Sequence, residues 1–148
     1  MLYRIIYSSH ATKPFSVEDA KVLLEDARGG NARCGVSGVL IYKDGVFFQV
    51  LEAEEAVLEQ LIENISADAR HRDMKIVRRE AIPKRDFDEW RMAYLTPNEA
   101  DLARWTGLEG ATDIAAMVEH VRHSGAALPR VLMGIVDALA EQPPKAHN

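Results

Sequence analysis

The sequence holds a single cysteine, Cys34. One thiol builds neither a disulfide framework nor a cysteine-based metal site, and it fits a reducing cytoplasm. No apolar run reaches the about 20 residues that cross a bilayer, so no membrane partner is expected. Met1-Leu2-Tyr3-Arg4 passes straight into strand-like sequence without signal-peptide architecture. Cations are outnumbered, 18 Lys and Arg against 23 Asp and Glu, giving a formal net charge of −5. Phosphate binding needs positive charge concentrated on one face, so no nucleic-acid partner is expected. A phosphate-binding glycine fingerprint and a nucleophile elbow are both missing. The five histidines, His10, His71, His120, His123 and His147, show no metal-ligand spacing with nearby carboxylates; His120 and His123 read as a surface pair. There is no internal repeat and no low-complexity tract.

What is present reads as one α+β domain. With 148 residues, 47% of them hydrophobic, the chain can bury a core without staples. Residues 2–8 and 36–42 form apolar, β-rich runs, as do 46–51, 74–82 and 89–95. Lys43-Asp44-Gly45 is a hairpin signal between the second and third strands. Ser16 with Asp19 marks a helix N-cap, Gly29-Gly30 reads as that helix's end, and residues 54–65 carry a second amphipathic stripe. The order is βαββαββ, a ferredoxin-like plan with both helices on one sheet face. Helical sequence follows at 98–105 and about 112–140, broken near Gly125 and Pro129, with apolar positions suited to the uncovered face. The tail, residues 142–148, is polar and expected to be loose.

Fold alone assigns no activity. The informative positions are polar groups among apolar neighbours. Period-two alternation puts Gln49 on one face with Phe47 and Leu51, where an unpaired amide costs about 1–3 kcal/mol; a solvent-facing or locally bonded glutamine is the plain alternative. Tyr7 shares a face with Tyr3 and Ile5, and a buried phenol needs a partner such as an amide. Ordinary packing accounts for it equally well. Asn31, just past Gly29-Gly30, reads alone as a loop residue satisfying its own backbone. Trp90 and Met92 share a face of the last strand and read alone as core. Asp68, Arg70 and His71 form either a solvated helix end or a site for a ligand's polar edge.

These residues occur together in a familiar order. LYRIIYSS, GNARCGVSGVLIYKDGVFFQVLE, DARHRD and FDEWRMAYL resemble the BLUF domain, the sensor of blue light using FAD, over about residues 1–97. The resemblance implies a noncovalently bound FAD and a photoreceptor, not an enzyme. By position, Tyr7 corresponds to the photoactive tyrosine and Gln49 to the switching glutamine. Asn31, Asp68, Arg70 and His71 fall in flavin-binding segments, with Leu24 and Ile65 against the ring. Trp90 and Met92 match the family's signal-relay pair. The implied chemistry passes an electron and then a proton from Tyr7 to photoexcited flavin, and the Gln49 amide rotates or tautomerises, leaving a small red shift. Three departures stand out: Ala53 where glycine is common, Arg91 between Trp90 and Met92, and Ala27 where serine is common.

The expected division is a sensor over 1–97, a helical relay or oligomerisation segment over 98–141, and a tail over 142–148. Too little chain follows the sensor for an effector domain, so a separate protein partner or a change of homo-oligomer is the expected output. Competing readings are a thiol–flavin adduct at Cys34, an acylphosphatase-like hydrolase, and a flavin-free regulatory module.

Overall fold

The computed structural model describes residues 1–141; the expected loose tail, residues 142–148, and His147 with it, lies outside the described residues. The elements are β1 (Leu2–Ala11), α1 (Val17–Cys34), β2 (Ser37–Lys43), β3 (Val46–Glu54), α2 (Glu55–Ser66), β4 (His71–Ala81), β5 (Ala93–Leu95), α3 (Glu99–Thr106), α4 (Ile114–His123) and α5 (Ala127–Ala140). The sheet runs β4-β1-β3-β2-β5. Its pairings are antiparallel except that of β2 with β5. This is the ferredoxin-like plan with one parallel strand added at the edge.

The central strands are apolar on both sides because both sides are covered. Ile5, Leu51, Leu58 and Ile62 pack on the α1/α2 face. Ile6, Phe48 and Val50 point the other way, into a cluster completed by residues of α3, α4 and α5 such as Leu102, Met117 and Ile135. The late apolar helices thus cover the second face, as their stripes require. Gly38 lets β2 approach β3 closely, since a Cβ there would fall 2.0 Å from the Val50 carbonyl oxygen. Asp44 and Gly45, both at positive φ, form the β2–β3 turn.

Several boundaries differ from the sequence reading. Ser16 caps α1 through a capping box with Asp19, but the helix continues past Gly29-Gly30 and ends at Gly35, which takes the left-handed conformation. Ala20, Leu24, Ala27 and Asn31 share one stripe at helical spacing, and packing of that stripe overrides the modest helix cost of two glycines. Helix α5 runs through Pro129, which sits in its first turn where a missing N–H costs nothing. Ala53 is fully buried within β3, opposite Tyr3, and occupies no turn. The last strand begins only at Ala93.

That late start has a cause on the second face. Glu52, with no exposed surface, accepts hydrogen bonds from the backbone N–H groups of Asp86 and Phe87 at 2.9 to 3.1 Å. It also pairs with the buried Arg4 guanidinium at 2.9 Å, and Arg4 reaches on to Glu80 and Asp86. This buried ionic cluster turns the β4–β5 connection away from strand geometry. The chain emerges with Trp90 in the α3–α5 cluster and Met92 in the α1/α2 cluster, so the two residues lie on opposite sides of the sheet instead of sharing a face.

Candidate functional site

One cleft opens between α1, α2 and the sheet. Its volume is about 220 Å³, and its floor is made by Leu40, Phe47 and Leu51. Leu23 and Leu24 form the α1 wall, with Leu61 and Ile65 opposite on α2. Engineered cavities of about 150 Å³ already hold a benzene ring, so this cleft suits a larger flat aromatic. Tyr7, Asn31, Gln49, Asp68, Arg70, His71 and Met92 also line it. Six of these are polar side chains spread over four elements and a loop, gathered around one apolar space. Trp90 does not join them.

Register explains the meeting of the central pair. Tyr7 lies directly opposite Gln49 in the β1/β3 ladder, and cross-strand partners present their side chains to the same face. The Tyr7 hydroxyl donates to Gln49 Oε1, and both residues are buried. Gln49 Nε2 in turn donates to Met92 Sδ at 3.2 Å. A thioether is a weak acceptor, so this amide N–H is held without being strongly satisfied. The cleft therefore contains a hydroxyl–amide–thioether chain in which the middle group can exchange its donor and acceptor ends. Burial drives the Tyr7 phenol well above the ordinary tyrosine range, and the Asp68 charge adds to the rise.

Asn31 stands on the buried face of α1, not in a loop, and its Nδ2 donates to the Arg91 carbonyl at 2.7 Å. Asp68 and Arg70 form an ion pair at the half-exposed mouth. The Arg70 side-chain hydrogen bond holds the Asp68 carboxyl below its ordinary value, against the opposing effect of burial. His71 opens β4, bonds the Ile65 carbonyl through Nε2, and lies with its ring centroid 6.1 Å from that of Tyr7. Ala27 lines the cleft without a polar group. Cys34 is exposed at the last turn of α1 and lines no part of the cleft, which removes the geometric basis for a thiol adduct. Among the described residues, no group of three or more His, Cys, Asp or Glu side chains is placed to hold a metal ion, and no helix is long and apolar enough to cross a membrane.

Arg28 was not singled out by the sequence. One turn before Asn31 and one after Leu24, it donates from Nε and Nη2 to the Met92 carbonyl at 3.1 and 3.0 Å. It precedes the glycines, and helical spacing from Leu24 alone sets it beside the cleft.

The residues present fit a flavin. Flat apolar walls face each other, and the Gln49 amide, bonded on one side only to sulfur, offers a donor to a ring carbonyl. Fold and cleft define a ligand-binding domain of α+β architecture. Residues 2–93 match the family model described as "Sensors of blue-light using FAD", and the chain belongs to this BLUF family of blue-light flavin sensors.

Its relatives include the photoactivated adenylate cyclase subunit beta of Euglena longa, 32% identical over 96 residues, which are 64% of this chain and 11% of that protein. The blue light- and temperature-regulated antirepressor BluF of Escherichia coli (strain K12) is 29% identical over 87 residues, 59% of this chain and 22% of that protein. The chain thus matches only a small part of these longer curated relatives. Among solved structures, the photo-activated state of BlsA superposes with a TM-score of 0.79 at 28% identity, covering 92% of this chain and 95% of that one. The BlsA ground state gives 0.69 at 32% identity, covering 76% of each chain.

Proposed function

We propose that this protein is a blue-light photoreceptor that holds FAD noncovalently in the α1/α2 cleft and signals through the Tyr7–Gln49–Met92 chain. The observation that carries the reading is the buried hydrogen bond from Tyr7 to Gln49, set against the apolar floor and walls of the cleft. Leu24 and Ile65 would flank the isoalloxazine ring, Asn31 and Gln49 would meet its polar edge, and Asp68, Arg70 and His71 would lie along the open side.

Bound FAD would supply, when excited by blue light, an oxidant strong enough to take an electron from the Tyr7 phenol. Tyr7 keeps its proton on Oη across the physiological range and can release it along its bond to Gln49 Oε1. The Gln49 amide is bistable because a tyrosine hydroxyl both donates and accepts, so either end of the amide can face it. Rotation of the amide would withdraw the N–H from Met92 Sδ and leave that thioether without its donor. The altered Met92 environment would pass to β5, and Trp90, two residues away, touches the α3–α5 cluster. A light-driven change of one amide thereby biases packing on the far face.

On this reading residues 1–97 are the sensor and residues 98–141 the relay. The output is a separate protein partner or a change in homo-oligomer, in the cytoplasm. The test is to purify the protein in darkness, identify the extracted flavin, and record absorption before and after blue light. FAD bands that shift slightly red and recover in the dark are expected. A colourless protein that cannot be reconstituted with FAD, or bleaching of the blue band instead of a shift, would overturn the reading.

A further inference from the structure

We infer that Arg28 is a positioning residue that decides which side chain, Met92 or Trp90, faces the cleft. The inference rests on the photoreceptor reading for its kinetic consequence, but not for its structural one. Three successive carbonyls just before β5 are held by three different groups. Gly38 N–H donates to the Trp90 carbonyl at 2.9 Å, Asn31 Nδ2 to that of Arg91 at 2.7 Å, and the Arg28 guanidinium to that of Met92. Parallel pairing with β2 begins only at Ala93. The segment carrying both relay residues is therefore held by one backbone bond from β2 and by two side chains of α1, ahead of the paired strand.

Arg28 and Asn31 stand three residues apart on α1 and so share a helix face. Their roles separate, however. Asn31 lines the cleft, whereas Arg28 lies outside the ring of lining side chains and acts through the backbone of Met92. Its two N–H groups converge on one oxygen, a charge-assisted contact stronger than a neutral one. That contact keeps the peptide after Met92 turned toward α1. With the peptide so held, the thioether points at Gln49 and Trp90 is committed to the opposite face. Exchange of the two side chains requires the backbone to rotate, and the Met92 carbonyl must then leave Arg28. Arg28 thus ties the helix over the cleft to the strand that carries the signal out.

The test compares wild type, Arg28→Met and Arg28→Lys as full chains labelled with 5-fluorotryptophan. The sequence has two tryptophans, so two fluorine resonances appear, and Trp90→Phe assigns one. In wild type, Trp90 gives one resonance in the dark. In Arg28→Met it shifts or splits, while that of Trp105 stays in place, and dark recovery of the red shift slows about tenfold, the change expected from losing one hydrogen bond to a charged group. Arg28→Lys, which keeps a cation but loses the fork, falls between the two. An unmoved Trp90 resonance in both variants, or a moved one with unchanged recovery, would overturn the inference. If wild type shows no red shift at all, the photoreceptor reading fails, and the resonance of Trp90 still decides the positioning role of Arg28.

Discussion

Gln49 is bonded on one side to the hydroxyl of Tyr7 and on the other to the sulfur of Met92, 3.2 Å from its nitrogen. The two bonds are unequal. A buried hydroxyl is a good partner for an amide oxygen, while a thioether accepts weakly. The amide is thus anchored at one end and easily released at the other, which is what a switch of two nearly balanced states requires.

Replacing the weak partner tests this balance. Met92→Leu keeps volume and apolarity, so stability should change by less than about 1.5 kcal/mol. The dark orientation of the amide loses its acceptor, and recovery after blue light should slow by a factor of a few. Stopped illumination followed by absorption in the dark measures it. Recovery identical to wild type would show that the sulfur contact has no part in the switch.

The state of the Tyr7 proton gives a pH prediction. Its pKa is raised on folding, so the native state holds this proton where the unfolded chain, with an ordinary tyrosine value of about 10, gives it up. The stability contributed by the buried phenol is complete below that value and is lost as pH rises through it toward the native pKa. The amplitude of the light-induced shift should therefore stay level up to about pH 10. Alkaline unfolding should set in before Tyr7 ionises. Phenolate absorption and the light-minus-dark amplitude, followed together across the pH range, check this.

Glu52 gives a stability prediction on the opposite face. Glu52→Ala strips Arg4 of its most buried partner and orphans the N–H groups of Asp86 and Phe87. Breaking a buried pair by removing one partner costs about 3–5 kcal/mol, measurable by urea unfolding. Glu52→Gln keeps an acceptor oxygen and the side-chain volume, and should lose less.

The two glycines inside α1 predict a gain. A Cβ at Gly29 or Gly30 meets nothing within 4 Å, and neither residue is at positive φ. Gly29→Ala and Gly30→Ala should each stabilise the protein by about 0.5–1 kcal/mol, seen as a raised Tm.

The sequence pattern already shows why some of this was legible and some not. Strand alternation groups Tyr7 with Tyr3 and Ile5, and Gln49 with Phe47 and Leu51, because a period of two is insensitive to the rest of the fold. That the two residues face each other comes from the β1/β3 register, which neither strand's pattern states alone. Asn31 reads as a loop residue because Gly29-Gly30 looks like a helix stop, but the stripe Ala20, Leu24, Ala27, Asn31 outweighs that signal through packing and keeps Asn31 in α1. The opposed directions of Trp90 and Met92 were not readable. Alternation puts them together, and only the long-range bonds from Glu52, Arg28 and Asn31, each distant in sequence, separate them. Residues Asp68, Arg70 and His71 were placed by resemblance, and the fold brings them to the mouth of the same cleft.

The central claim is that the Tyr7 hydroxyl and the Gln49 amide form the light-operated pair. The most direct measurement is the light-minus-dark absorption spectrum of Tyr7→Phe beside wild type at equal flavin content, with Gln49→Leu as the companion variant. Tyr7→Phe removes the hydroxyl and its proton while keeping the ring, so flavin should still bind and the reversible red shift should vanish. Gln49→Leu should lose the shift in the same way. A normal, recovering red shift in Tyr7→Phe would contradict the account, whatever the other residues of the cleft do.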